Sequence, residues 1–122
     1  MPESIETFRK KFNKEMKTGL LSMLLLYIID QSTEPCYGYR IIRTLDEVTG
    51  GEFKLPEGTV YPILNSLRNK ELLHSYWGDS PDGPRRKYYT ITKQGKDALD
   101  VCLKDWKAMS LKIDSVLEAK ED

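Results

Sequence analysis

Along the first half of the chain, apolar residues recur at helical spacing. Over residues 4–17, Ile5, Phe8, Phe12 and Met16 repeat every three or four positions with basic residues between them. This predicts an amphipathic helix whose aromatic stripe lies outside the main core and is free to meet a second subunit. Gly19 interrupts the pattern, and residues 20–29, apolar apart from Ser22, predict a separate central helix buried nearly all round. After a break at Glu34-Pro35, residues 37–48 carry Ile41, Leu45 and Val48 at helical spacing and stop at Gly50-Gly51. Pro56-Glu57-Gly58 opens a further helix with Val60, Ile63, Leu64 and Leu67 inward. Pro62 fits it only within the first turn, where no intrahelical N–H is needed.

From Leu72 the character changes. Two aromatic, β-prone runs, 73–77 and 85–91, flank a Gly/Pro/Asp cluster at 78–84 and predict a hairpin. Thr92 is a suitable N-cap for a long last helix. Along that helix Leu99, Cys102, Trp106, Met109, Ile113 and Val116 follow the alternating three-four spacing of a seam that packs along a partner helix. The order predicts a mainly α fold: a winged helix-turn-helix with a two-stranded β wing, an extra N-terminal helix and a long C-terminal dimerisation helix. Residues 1–17, 18–92 and 93–122 are the three parts. In such an arrangement a helix of the helix-turn-helix enters the major groove and the wing touches backbone or minor groove.

Composition narrows the class without choosing a partner. A chain of 122 residues, 39% hydrophobic and 31% charged, suits one globular domain. Nineteen basic residues balance nineteen acidic ones, so only the placement of charge is informative. Residues 8–17 carry five basic residues against one acid, residues 37–96 ten against seven, and residues 97–122 four against seven. The apolar run at 20–29 is about half of the ~20 residues that a membrane-spanning helix needs. No small-residue cleavage site follows Ile29, so a cytoplasmic protein is expected. Cys36 and Cys102, far apart in sequence, are expected to be buried reduced thiols. His74 reads as a structural or surface residue, and Asp46-Glu47 and Asp79/Asp82 as solvated acids. The sequence lacks GxGxxG, Walker, HExxH and GxSxG motifs. No metal, cofactor or catalytic activity is expected.

Three motifs go further: Tyr37-Gly38-Tyr39-Arg40-Ile41, Glu57-Gly58-Thr59-Val60-Tyr61-Pro62-Ile63-Leu64, and Gly83-Pro84-Arg85-Arg86-Lys87-Tyr88-Tyr89-Thr90-Ile91-Thr92-Lys93-Gln94-Gly95. In their order and spacing the chain resembles the PadR family of transcriptional regulators, and its short C-terminal part resembles the single-helix subgroup. The resemblance implies a homodimeric winged-helix repressor that releases a double-stranded DNA operator, pseudo-palindromic if the dimer is two-fold symmetric, when a small molecule or another signal acts on it.

On this reading Thr59, an exposed Tyr61, Asn65 and Arg68 share the DNA-facing side of the recognition helix. Tyr39 resembles a family position near the DNA backbone. Arg85, Arg86 and Lys87 place cations on the wing, where strand alternation sets Arg86 and Lys87 on opposite faces. Trp106 either fills the dimer core or, with Phe8 and Phe12, lines a site for a planar aromatic effector between subunits. Two other classes stay open: a winged-helix protein-interaction module, and a small metal or redox sensor built on Cys36, Cys102 and His74.

Overall fold

The computed structural model describes residues 2–53 and 57–119. Pro56, the expected opening of the third helix segment, lies outside them. Among them four helices and three strands follow one another as α1 (Ile5–Gln31), β1 (Cys36–Tyr37), α2 (Gly38–Val48), α3 (Glu57–Asn69), β2 (Leu73–Ser80), β3 (Gly83–Ile91) and α4 (Lys93–Glu118). The chain is a mainly helical winged helix-turn-helix.

The first two predicted helices are one. α1 runs unbroken for 27 residues through Gly19, capped by the Ser4 hydroxyl, which accepts a hydrogen bond from the Thr7 N–H. A glycine inside a helix costs only about 1 kcal/mol against alanine. Here the turns that follow are anchored by Leu21, Leu25, Leu26 and Ile29, all buried, so burial outweighs the local weakness. The expected boundary at residues 17 and 18 therefore falls inside a helix.

α2 and α3 form the helix-turn-helix. α2 ends where Gly50 and Gly51 take positive φ, 63° and 89°, and the Gly51 N–H returns to the Asp46 carbonyl at 2.8 Å. In α3 Val60, Leu64 and Leu67 are buried as expected, with Ile63 half-buried beside them. Pro62 is the sixth residue of α3 and not in its first turn. The carbonyl it deprives of an intrahelical donor is that of Gly58, an exposed residue open to solvent.

The sheet has one strand more than the expected hairpin. β1 pairs antiparallel with β3, Cys36 opposite Tyr89 and Tyr37 opposite Tyr88, giving the order β1-β3-β2. The hairpin is also longer and tighter than its composition implies. β2 and β3 pair from Leu73–Ile91 out to Ser80–Gly83, with a pairing irregularity between Gly78 and Ser80. Only Pro81 and Asp82 are left as the turn. Gly78 is a strand residue there, paired with Arg86, and the Tyr88 ring lies over it, so that a Cβ would stand 3.0 Å from a Tyr88 ring carbon. Thr92 caps α4 as expected, its hydroxyl accepting from the Gly95 N–H at 2.9 Å.

The core joins α1, α2, α3, the sheet and the start of α4 through buried apolar residues that include Leu21, Leu25, Ile41, Leu64, Tyr89 and Leu99. Cys36 is buried, but Cys102 is exposed, against expectation. It follows Leu99 on the face of α4 that runs out beyond the core. No helix among the described residues is long and apolar enough to cross a membrane.

Candidate nucleic-acid interface

The start of α2, the outer side of α3 and the wing enclose an open cleft of about 480 Å³. α2 contributes Gly38 and Tyr39, α3 contributes Tyr61 and Asn65, and the sheet contributes Tyr37, Trp77, Arg85, Arg86, Lys87 and Tyr89. Six of the eight residues expected to meet DNA therefore lie around one concavity.

Tyr61 is not the exposed side chain expected at the front of the recognition helix. It is half-buried, its ring seated directly on Gly38, where a Cβ would overlap the Tyr61 ring. The glycine of the Tyr37-Gly38-Tyr39 motif is thus the socket for an aromatic ring from the next helix. The contact fixes the spacing between α2 and α3. Burial, with the nearby Glu57 carboxylate adding to it, raises the Tyr61 pKa. Tyr89 behind it is raised chiefly by its own burial, while Arg68 pulls the other way. Both phenols are neutral donors near neutral pH.

Thr59 does not join this group. At 100° per residue it stands about 160° round α3 from Tyr61, whereas Asn65 and Arg68 lie within about 40° of it. Asn65 and Arg68 are exposed, and Tyr39 is 56% exposed at the first turn of α2.

The three wing cations differ in what already occupies them. Arg85 donates to the Trp77 carbonyl at 3.0 Å and stands 3.9 Å from the Asp79 carboxylate. Arg86 pairs with Asp82 at 3.1 Å, and its guanidinium carbon lies 4.1 Å from the centre of the Tyr37 ring. Among the described residues Lys87 forms no ion pair. Alternation does set Arg86 and Lys87 on opposite faces. Both still reach the cleft, because Arg86 lies just past the end of β1 and folds over the sheet edge onto Tyr37.

Away from the cleft, the first half of α1 and the last half of α4 leave their apolar stripes open. Ile5, Phe8, Phe12 and Met16 are exposed, as are Trp106, Met109, Ile113 and Val116. Phe8, Phe12 and Trp106 are 63%, 54% and 41% exposed, so the three candidate effector residues are surface residues of the single chain. Trp77, which the sequence reading did not select, is 60% exposed inside the cleft. Its signal in the sequence was the aromatic pair Tyr76-Trp77 that ends the first predicted strand, just before the turn cluster.

Comparison with known proteins agrees with this geometry. The model of the transcriptional regulator PadR-like family matches residues 25–101. A PadR-like transcriptional regulator from Bacillus cereus is 32% identical, with a TM-score of 0.73 over 87% of this chain and 99% of that one. A PadR family regulator from Eggerthella lenta is 25% identical, with a TM-score of 0.82 over 94% and 96% of the two chains. An uncharacterised protein of Lysinibacillus sphaericus is 35% identical over 84% of this chain and 93% of its own length. Helix-turn-helix, wing and motif residues all fall within the matched span, and the chain belongs to the PadR-like family of transcriptional regulators, which bind DNA.

Proposed function

We propose that this regulator acts as a homodimer on a pseudo-palindromic operator, represses transcription there, and releases the DNA when a small molecule or another signal reaches it. One observation carries the reading: a cation-rimmed cleft shared by the recognition helix and the wing sits on a chain whose two longest helices leave long apolar stripes uncovered. The cleft gives each subunit one reading head. The stripes give the two subunits a reason to associate, since each fully buried large apolar side chain contributes roughly 1.5–3 kcal/mol.

In the complex, Asn65 supplies an amide to base edges and Arg68 a guanidinium to bases or phosphates. Tyr39, Arg85, Arg86 and Lys87 hold the backbone, and Tyr61 sets the pitch of the recognition helix while offering its hydroxyl. Thr59 has the weakest claim to contact, given its position round α3. Phe8, Phe12 and Trp106 form the proposed effector site, completed only when two subunits meet. Flat aromatic compounds stack there on the indole, and the cytoplasm is the proposed compartment.

Selection of bound sequences from a random DNA pool tests the proposal. The expected product is one enriched sequence with two-fold related half-sites about one helical turn apart. A single unsymmetrical site, or no enrichment, overturns it. The effector site is checked by tryptophan quenching with planar dyes in the wild type and in Trp106→Leu, where Trp77 remains. Equal quenching in the two proteins removes Trp106 from the site.

A further inference from the structure

The aromatic residues of the wing divide between its two faces. On one face His74, Tyr76, Tyr88 and Tyr37 lean on one another, with ring centres 6.2, 5.7 and 6.0 Å apart in turn. In that ladder each ring has another ring beside it, although His74 and Tyr76 are still exposed at its outer side. Trp77 points the other way. It shares its face with Ser75 and with Leu73, which is buried in the core, so the indole projects from the core side of the sheet past the core's edge and into the cleft. There it is 60% exposed. Its cross-strand partner is Lys87, and its own carbonyl is held by the Arg85 guanidinium.

A single exposed apolar side chain is ordinary on a protein surface. This one is set apart by its place: the largest side chain available stands beside two cations, lines the cleft with Tyr61 and Asn65 of α3, and has no aromatic ring packed against it. Cations beside an uncovered ring suit a ligand that alternates charged and apolar patches, as the phosphates and deoxyribose rings along a DNA strand do.

We infer that Trp77 is a DNA-contact residue of the wing, its ring lying against the sugars of the strand whose phosphates Lys87 and Arg85 hold. The inference rests on the cleft being the DNA interface. It divides wing binding into two parts with different responses to salt. Each phosphate neutralised by a wing cation releases counterions and adds about −0.9 to the slope of log K against log salt. An indole covering a sugar releases none, so its share of the affinity is independent of salt.

The test compares three purified full-length variants on operator DNA from the random-pool selection, each titrated at several salt concentrations. Trp77→Ala is expected to weaken binding by about tenfold or more at every salt concentration, an apolar contact being worth at least about one such factor, with the slope unchanged. Lys87→Ala is expected to lower the magnitude of the slope by about 0.9. The third variant, Trp77→Phe, is expected to keep part of the affinity while losing the change in tryptophan fluorescence that DNA produces in the wild type, since Trp106 is the one indole left. An exposed residue can be replaced without unfolding the chain, and unchanged circular dichroism verifies this for each variant. Wild-type affinity in Trp77→Ala, or an intact fluorescence response in Trp77→Phe, overturns the role of Trp77 while leaving the interface standing. Wild-type protein that shows no salt-dependent binding to any DNA overturns the interface itself and Trp77 with it.

Discussion

A Cβ placed on Gly38 would overlap the Tyr61 ring, and the obstacle is the end of a side chain that can swing away. Gly38→Ala should therefore leave the chain folded and displace Tyr61, misplacing α3 relative to α2. We expect operator affinity to fall about tenfold, a change worth about 1.4 kcal/mol, with a much smaller change in thermal midpoint. Equal affinity in the variant would mean that the ring is not a spacer. A second residue-scale prediction concerns Asp79 and Asp82. These exposed acids stand against Arg85 and Arg86 and occupy the charges that phosphates need, while repelling the phosphates themselves. The Asp79→Asn, Asp82→Asn double variant should bind DNA about two- to fivefold more tightly at low salt, because exposed ion pairs are worth well under about 1 kcal/mol each. Filter-binding at two salt concentrations checks it, and weaker binding would show that the acids order the wing. The Tyr61 socket was not legible in the sequence, since period alone says which way a side chain points along its own helix and nothing of a glycine 23 positions earlier.

Elements defined by local chemistry were legible. Thr92 announced α4 because a cap needs only its next three residues, and the face of Val60, Leu64 and Leu67 followed from helical repetition. Elements decided by distant partners were not. β1 is two residues long and exists because Cys36 and Tyr37 meet Tyr89 and Tyr88, a pairing that leaves no periodic trace. Gly78 belonged by composition to a turn, but it pairs with Arg86 as a strand residue, and the ring of Tyr88 over it leaves little room for a side chain. Gly19 suggested a break because glycine is a poor helix former, whereas the buried leucines after it decide the matter. Gly19 meets no atom within 4 Å of an ideal Cβ and its φ is not positive. Gly19→Ala should thus stabilise the protein by roughly 0.5–1 kcal/mol, seen as a higher thermal midpoint. A lower midpoint would place a neighbouring subunit against that position.

At the scale of the whole molecule, the sequence pattern pointed to surfaces that one chain leaves unused. Met109 and Ile113 are 54% and 45% exposed, so charges there should be harmless to a protein that works alone. In a dimer built on α1 and α4, Met109→Glu with Ile113→Lys should instead yield monomers or unfolded chain, read by sedimentation together with circular dichroism. A folded double variant with the wild-type sedimentation coefficient would exclude α4 from the contact.

The continuity of α1 has a mechanical meaning at this scale. Twenty-seven residues make a rod about 40 Å long, with the bare stripe of Ile5, Phe8, Phe12 and Met16 on its first half and the core leucines on its second. A hinge at Gly19 would have absorbed any rearrangement between subunits before it reached the DNA. A stiff rod transmits it: a tilt of about 3° acting over half of that length, about 20 Å, moves the far end by about 1 Å. Because the helix-turn-helix is packed on that far end, each reading head of the proposed dimer would ride as one body on a lever reaching towards the other subunit. In that dimer, a ligand that preferred one lever angle by a factor of ten would shift the balance between operator-matched and mismatched spacing by the same factor.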